Sequence, residues 1–181
     1  MLINGVAAPL LFVREDQINL VVPAGVSLPW AGITVSTPQG SSAQFLTWME
    51  AATTALFTIA GSGIGQGCIL NQDGTVNSKD NPAARGSAVT LYGTGGLTTP
   101  SLADGAVSLG PAELVCAQFM QATVGGSAAT VQYAGAAPFL VNGAMQINIQ
   151  LPTDVSTGLS VPVSLFLYPL YSQAGVTIAI K

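Results

Sequence analysis

The chain has 181 residues, of which 49% are hydrophobic and only 7% charged, and its eight acidic and four basic residues give a net charge of −4. A typical soluble domain is about 25% charged, so neutral polar side chains and backbone must hydrate this surface. Four bases scattered along the chain cannot neutralise a row of phosphates, which excludes nucleic acid as a partner. The sequence has no histidine, the commonest general base and metal ligand, so we expect no enzyme and no cofactor.

The apolar runs are too short for a membrane-spanning helix. Residues 6–13 and 20–26 form the longest runs, and each is interrupted by proline, whereas a spanning helix needs about 18 apolar residues. The first five residues carry no basic side chain and reach an Asn4-Gly5 turn at once, which is not the pattern of a signal peptide. We expect that a leader was removed or that the chain is a piece of a longer protein.

Short β-strands are predicted along the whole chain. The 21 glycines and 11 prolines interrupt helices and favour turns. Between them, apolar residues alternate with small or polar ones, which is typical of strands with one buried face. The clearest alternating stretches are residues 17–22, 146–151, 160–167 and 176–180. We therefore predict an all-β fold of the β-sandwich type, with Ile18, Ile147, Ile149 and Val163 in its core.

The sequence contains an internal repeat. The run Q-I-N-L-V-V-P at residues 17–23 recurs as Q-I-N-I-Q-L-P at residues 146–152, and residues 5–13 match residues 126–134. The offsets of 129 and 121 residues leave eight additional residues between the two blocks of the second copy. We interpret residues 1–58 and 86–181 as two tandem Ig-like modules, joined by a Gly- and Asn-rich ordered connector at residues 59–85.

The first module lacks strands that the second possesses. In the second module, residues 86–124 precede the first matching block, whereas almost nothing precedes that block in the first module. Half a sandwich leaves open strand edges and an uncovered apolar face. We predict an assembly edge at Leu10, Phe12, Ile18 and Leu20, where strands from another copy of the chain, or from an upstream segment, complete the module.

A family resemblance rests on ordered blocks that cover most of the chain. They are residues 4–19 (with N-G, A-P-L-L-F-V and Q-I-N), 70–78 (L-N-Q-D-G-T-V-N-S), 81–83, 85–87, 91–95 (L-Y-G-T-G), 133–138, 145–148 and 175–179. These blocks resemble the uncharacterised Ig-like C-terminal domain of large secreted acidobacterial proteins and, in outline, the TIG-type Ig fold of surface receptors. The resemblance implies a secreted, extracellular β-sandwich pair and no activity, and the family's N-terminal strands are absent here.

Cys68 and Cys116 are the only cysteines. In an extracellular protein an even number of cysteines favours a disulfide, which here would tie the connector to the second module and contribute about 3–4 kcal/mol. The alternative is two buried free thiols. The wide spacing excludes a C-x-x-C redox or zinc site.

The remaining polar and aromatic groups have structural interpretations. Residues 71–81 are rich in oxygen ligands around Gly74 but lack the order and the closing glutamate of a calcium loop, so turn chemistry is preferred. Glu15-Asp16 is interpreted as a solvated turn beside Arg14, and the glycine-rich residues 93–96 as the end of a strand. The aromatic residues are interpreted as packing groups rather than as sugar-stacking groups: Trp30, Phe45, Trp48, Phe119, Phe166, Tyr168 and Tyr171.

Two functions follow as expectations. The first is a non-catalytic extracellular structural module that assembles with copies of itself into a filament or surface fibre by strand complementation. The low charge is compatible with assembly because self-repulsion is weak. The alternative is an adhesion or glycan-binding module of a large secreted protein, with specificity in loops at one end of a sandwich.

Overall fold

The chain folds almost entirely into short strands, which confirms the predicted all-β class. The computed structural model describes residues 1–181, with 20 strands and a single 3-10 turn at Ala117–Phe119. The strands are β1 (Leu2–Ile3), β2 (Val6–Ala7), β3 (Leu10–Val13), β4 (Ile18–Leu20), β5 (Trp30–Thr34), β6 (Ser36–Thr37), β7 (Gly40–Ser41), β8 (Phe45–Trp48), β9 (Ala55–Leu56), β10 (Gly65–Gln66), β11 (Ile69–Asn71), β12 (Ala88–Thr94), β13 (Thr98–Thr99), β14 (Glu113–Leu114), β15 (Gln121–Val124), β16 (Ser127–Ala136), β17 (Ala144–Gln150), β18 (Gly158–Leu167), β19 (Leu170–Tyr171) and β20 (Val176–Ile180).

Residues 55–181, which we call the C-terminal unit, form one continuous pairing network in the order β10-β20-β18-β15-β16-β17-β12-β11. The long strand β16 pairs with β15 through its first residues and with β17 through the rest, and a β-bulge lies between Val131 and Tyr133. A bulge bends a strand and increases its twist, which lets β16 pass from one layer of strands to the other. The arrangement is consistent with a β-sandwich.

The core of the C-terminal unit lies between these two layers. A cluster of 22 buried residues includes Val124, Leu165 and Ile178 from one layer, and Leu91 and Ile149 from the other. Complete burial of an aliphatic side chain contributes about 1.5–3 kcal/mol, so this cluster is the main source of stability. The predicted core positions Ile147, Ile149 and Val163 are 0%, 0% and 3% exposed.

The segment expected as a connector takes part in the same network. Strand β10 pairs in parallel with β20, and β11 pairs antiparallel with β12. Thr58 also forms an antiparallel β-bridge with Gly67, so the chain reverses direction between these two residues. Residues 59–85 therefore contribute strands at both edges of the C-terminal unit and do not form a separate linker.

Residues 1–49, which we call the N-terminal unit, form a smaller set of strands. A four-stranded sheet has the order β2-β1-β5-β8, and two hairpins, β3-β4 and β6-β7, lie beside it. Its buried cluster has only four members, Ile3, Ala8, Val26 and Ala31. The predicted core residue Ile18 is only half-buried.

The strand pairings of the N-terminal unit recur in the C-terminal unit. The turns at Asn4-Gly5 and Gly125-Gly126 both have positive φ at two successive residues, as tight hairpins require. The β3-β4 register is Leu10–Leu20, Phe12–Asn19 and Val13–Ile18, and the β16-β17 register is Val131–Ile149, Tyr133–Asn148 and Ala134–Ile147, with a bulge at the same place in each. The antiparallel pairing of β1 with β5 corresponds to that of β15 with β18. The pairing of β6 with β7 corresponds to that of the end of β18 with β19.

Side-chain hydrogen bonds recur as well. The Gln17 amide donates to the Asn19 carbonyl at 2.7 Å, and the Gln146 amide donates to the Asn148 carbonyl at 3.0 Å. The Val35 N–H donates to the Ser42 hydroxyl at 3.1 Å, as the Leu165 N–H does to the Ser172 hydroxyl at 3.0 Å. These shared bonds give a residue-by-residue equivalence between the two units.

The N-terminal unit has no counterparts of β9 to β14. One hydrogen bond joins it to the C-terminal unit, from the Ala24 N–H to the Asp104 carboxylate at 3.0 Å, and Pro9 lies against Gly105 nearby. The structure contains no helix with the length and hydropathy required to cross a membrane.

Candidate functional site: the open edges of the N-terminal unit

The four residues predicted as an assembly edge lie together on the β3-β4 hairpin. Leu10 and Phe12 are 46% and 44% exposed on β3, and Ile18 and Leu20 are half-buried on β4. The hairpin turn is closed by the Arg14 N–H, which donates to the Gln17 carbonyl at 2.8 Å. Arg14 also forms an ion pair with Asp16 at 2.5 Å, which lowers the pKa of that carboxyl group.

Strand β4 is an edge strand because it pairs only with β3. Its counterpart β17 pairs with β16 on one side and with the seven residues of β12 on the other. The Leu151 N–H points toward the β12 side and donates to Ser87 at 2.9 Å. Because alternate residues of a strand point the same way, the backbone groups of the equivalent residues Ile18, Leu20 and Val22 point to the open side of β4.

A second edge, which the sequence did not indicate, lies on β8. This strand pairs only with β5, and its side chains Phe45, Leu46 and Trp48 are 65%, 62% and 54% exposed. Trp48 packs edge-on against Trp30, with ring centroids 5.2 Å apart. Its equivalent in the C-terminal unit, Ala179, is completely buried. Neither β4 nor β8 carries a charged side chain.

Asn77 shows how the equivalent edge is covered in the C-terminal unit. Its side chain is completely buried. The Asn77 amide donates to the Ala179 carbonyl at 2.9 Å, and the Ala179 N–H donates back to the Asn77 carbonyl oxygen at 2.9 Å. The Asn77 side chain makes two further hydrogen bonds. Its amide nitrogen also donates to the Asn71 side-chain oxygen at 2.9 Å, and its oxygen also accepts from the Gln66 amide at 3.0 Å. The Ala83 N–H also donates to the Ala179 carbonyl at 3.0 Å, so the Asn77 side chain and the Ala83 backbone together cover the edge beside Ala179.

The remainder of residues 71–81 is a network of turns. The Asn71 amide donates to the Asn81 carbonyl at 3.0 Å, and the Asn81 amide donates to the Thr75 hydroxyl at 2.7 Å. The Thr75 hydroxyl and N–H both donate to the Asp73 carboxylate, which lowers the pKa of Asp73. These oxygens are occupied by internal donors, and no group of three or more His, Cys, Asp or Glu side chains lies close enough to hold a metal ion.

Both cysteines are free thiols in the structure, so the candidate disulfide between Cys68 and Cys116 is not formed there. Cys68 is partly buried between β10 and β11, and this burial raises the pKa of its thiol. Cys116 is exposed just before the 3-10 turn. The alternative of two buried free thiols does not hold either, because Cys68 is only partly buried and Cys116 is exposed.

Two groups of aromatic residues lie at the surface. Trp30 and Trp48 of the N-terminal unit form the first, and the second contains the half-buried Phe166. In the second, Phe166 lies 4.6 Å from Tyr171 and 6.4 Å from Tyr168 between ring centroids. Tyr168 and Tyr171 are 80% and 69% exposed, and Phe119 is 59% exposed. These rings lie on the surface and are not part of the core clusters.

Comparisons with protein-family models, with curated proteins and with solved structures find no match to this chain.

Proposed function

We propose that the protein is a non-catalytic extracellular structural module, built from tandem Ig-like units, that assembles with copies of itself by strand complementation at the N-terminal unit. A filament or surface fibre is the expected product, because a donor and an acceptor on different parts of the chain give a head-to-tail contact, which builds an open filament unless its rotation closes a ring. The extracellular location rests on the resemblance of the sequence to secreted Ig-like domains.

The observation that carries the proposal is the unequal burial of equivalent residues. Ile147 and Ile149 are completely buried, whereas their counterparts Ile18 and Leu20 are half-buried. Leu151 is 2% exposed, whereas its counterpart Val22 is 52% exposed. Apolar side chains and unpaired strand edges at the same place favour the addition of a further strand.

Light scattering coupled to size exclusion tests self-association. The wild-type chain is expected to show a mass that rises with protein concentration, and negative-stain microscopy should show elongated particles. Leu10→Lys places a charge on the assembly edge and should shift the protein to monomers. Leu109→Lys is the matched control, because Leu109 is 83% exposed on the C-terminal unit. A compact wild-type monomer at high concentration would contradict self-assembly.

A glycan-binding module is the second candidate, favoured by the exposed cluster of Phe166, Tyr168 and Tyr171. Aromatic faces pack against the apolar faces of sugar rings, and exposed tyrosines suit such contacts. Retention on a glycan array that is lost in Tyr171→Ala, with the protein monomeric throughout, would favour this candidate over assembly.

A further inference from the structure

The C-terminal unit contains a template for what covers the open edges of the N-terminal unit. One continuous segment, residues 65–94, supplies the strands at both edges of the C-terminal network. It begins with β10 on β20, continues through β11 and the turns that hold Asn77, and ends with β12, which pairs with β17 on one side and with β11 on the other. The N-terminal unit has counterparts of β20 and β17, namely β8 and β4, but no counterpart of this segment.

At β8 the template predicts a parallel partner. In the C-terminal unit the Gly65 N–H donates to Gly175 at 2.8 Å and the Gly67 N–H donates to Thr177 at 2.9 Å. Asn77 then pairs with both backbone groups of Ala179. The equivalent acceptors on the N-terminal unit are Gln44, Leu46 and Trp48, so a segment of this kind would cover Trp48.

At β4 the template predicts an antiparallel partner with a defined register. Leu91 lies opposite Ile147 and Val89 opposite Ile149, and both β12 side chains are buried in the core. Between them, the Thr90 hydroxyl donates to the Asn148 carbonyl at 3.1 Å. A strand in the same register places its leucine opposite Ile18, its valine opposite Leu20 and its threonine opposite Asn19.

We propose that the N-terminal unit is the acceptor for one continuous polypeptide segment, built like residues 65–94 and carried by a second molecule with this repeat, which pairs in parallel with β8 and antiparallel with β4. Residues 65–94 of a folded chain already cover its own C-terminal unit, where Asn77, Val89 and Leu91 are buried, so the donor is a segment of this type that the second molecule leaves unpaired. This proposal rests on the proposed function and names the donor segment, its direction and its register.

A synthetic peptide with the sequence of residues 64–95 tests the acceptor site in the full-length protein. The chain has only two tryptophans, and both lie in the N-terminal unit, so tryptophan emission distinguishes binding there from exchange into the C-terminal unit. The peptide has no tryptophan. We expect a saturable blue shift of the emission, together with slower amide hydrogen exchange at Ile18, Leu20 and Trp48.

Matched variants test the register. Ile18→Lys places a charge beside the incoming leucine, on the sheet face that is buried in the template, and should weaken peptide binding by at least about tenfold. Gln17→Lys places the same charge on the opposite face and should change the affinity by less than about twofold. On the peptide, Leu91→Lys should abolish the emission change, whereas Thr90→Ser should retain it.

The outcomes separate this proposal from self-assembly. A wild-type chain that stays monomeric but binds the peptide contradicts the self-assembly of this chain and supports the acceptor site. A chain that associates without any peptide-induced change in tryptophan emission or exchange overturns the acceptor site. Equal binding of the wild-type and Leu91→Lys peptides also overturns it, because the register would then play no role.

Discussion

The N-terminal and C-terminal units share their strand pairings but differ in the number of buried residues. Both have the same hairpin turns, the same bulge and the same Gln-Asn side-chain bond. The C-terminal unit buries a cluster of 22 residues and the N-terminal unit a cluster of four. The difference shows that pairing geometry is encoded locally in the hairpins, whereas burial depends on the segment that joins the two layers.

The largest expected effect comes from removing that segment from the C-terminal unit. A fragment of residues 52–181 should unfold cooperatively, because it retains every strand of the large network. A fragment of residues 86–181 lacks β10 and β11 and should lose cooperative unfolding, as should residues 1–50. Circular dichroism with thermal melting measures the comparison. A cooperative transition in residues 86–181 would show that the segment is dispensable and would contradict the comparison.

Equivalent core residues should respond unequally to truncation. Ile149→Ala removes a completely buried side chain and should lower the free energy of unfolding by about 2–5 kcal/mol. Leu20→Ala at the equivalent position removes a half-buried side chain and should cost about 1 kcal/mol. Urea titrations of both variants provide the measurement, and equal losses would mean that the N-terminal unit is covered in solution.

Asn77→Ala tests the side chain that pairs with both backbone groups of Ala179. The substitution leaves the buried Ala179 N–H without a partner, whereas the Ala179 carbonyl keeps its bond from the Ala83 N–H, and it should cost about 1–3 kcal/mol. Lys79→Ala is the control, because Lys79 forms only an exposed ion pair with Asp80 and should change stability by less than about 0.5 kcal/mol. A neutral Asn77→Ala variant would show that water substitutes for the amide.

The two thiols should differ in reactivity. Cys116 is exposed, whereas burial raises the pKa of Cys68 and reduces its thiolate fraction. We expect Cys68 to react with a thiol reagent at least about tenfold more slowly than Cys116 at pH 8. The reaction rates of both thiols should be the same in samples treated with reductant and in untreated samples. No reaction before reduction would instead indicate the disulfide that the sequence suggested.

The smallest expected effect is a pH dependence from Asp73. Hydrogen bonds from Thr75 lower the pKa of Asp73 in the folded state, so its contribution to stability is present above the unfolded pKa and is lost as the pH falls through the folded pKa. Asp73→Asn should therefore differ in stability from wild type at neutral pH, and the difference should shrink as the pH falls below the unfolded pKa and through the lowered folded pKa of Asp73. A difference that grows on acidification would contradict this sign.

Residues with regular alternation could be placed from the sequence. Ile147, Ile149 and Val163 lie in the core because period-2 patterns specify one buried face. Ile18 has the same pattern but is only half-buried, because a pattern indicates the face of a strand and not what covers it. The internal repeat also indicated the hairpins whose registers recur in the structure.

Residues 59–85 were harder to interpret. Strands β10 and β11 have two and three residues, too few for alternation to be recognised among glycines and asparagines. Their partners β20 and β12 are distant in sequence or separated by a long turn, so pairing is decided by tertiary contacts. Asn77 gave no signal either, because an asparagine in a turn-rich segment usually faces water.

The uncharged edges have a consequence for how the protein should respond to its surroundings. Many natural edge strands carry a lysine or a proline that discourages unwanted pairing, and neither β4 nor β8 has such a gatekeeper. Contacts made there depend on backbone hydrogen bonds and apolar area rather than on Coulomb attraction, so raising the ionic strength should leave them almost unchanged. Excluded salts such as sulfate should instead strengthen them. Association at such a surface should therefore depend on which salt is present rather than on the screening of charges.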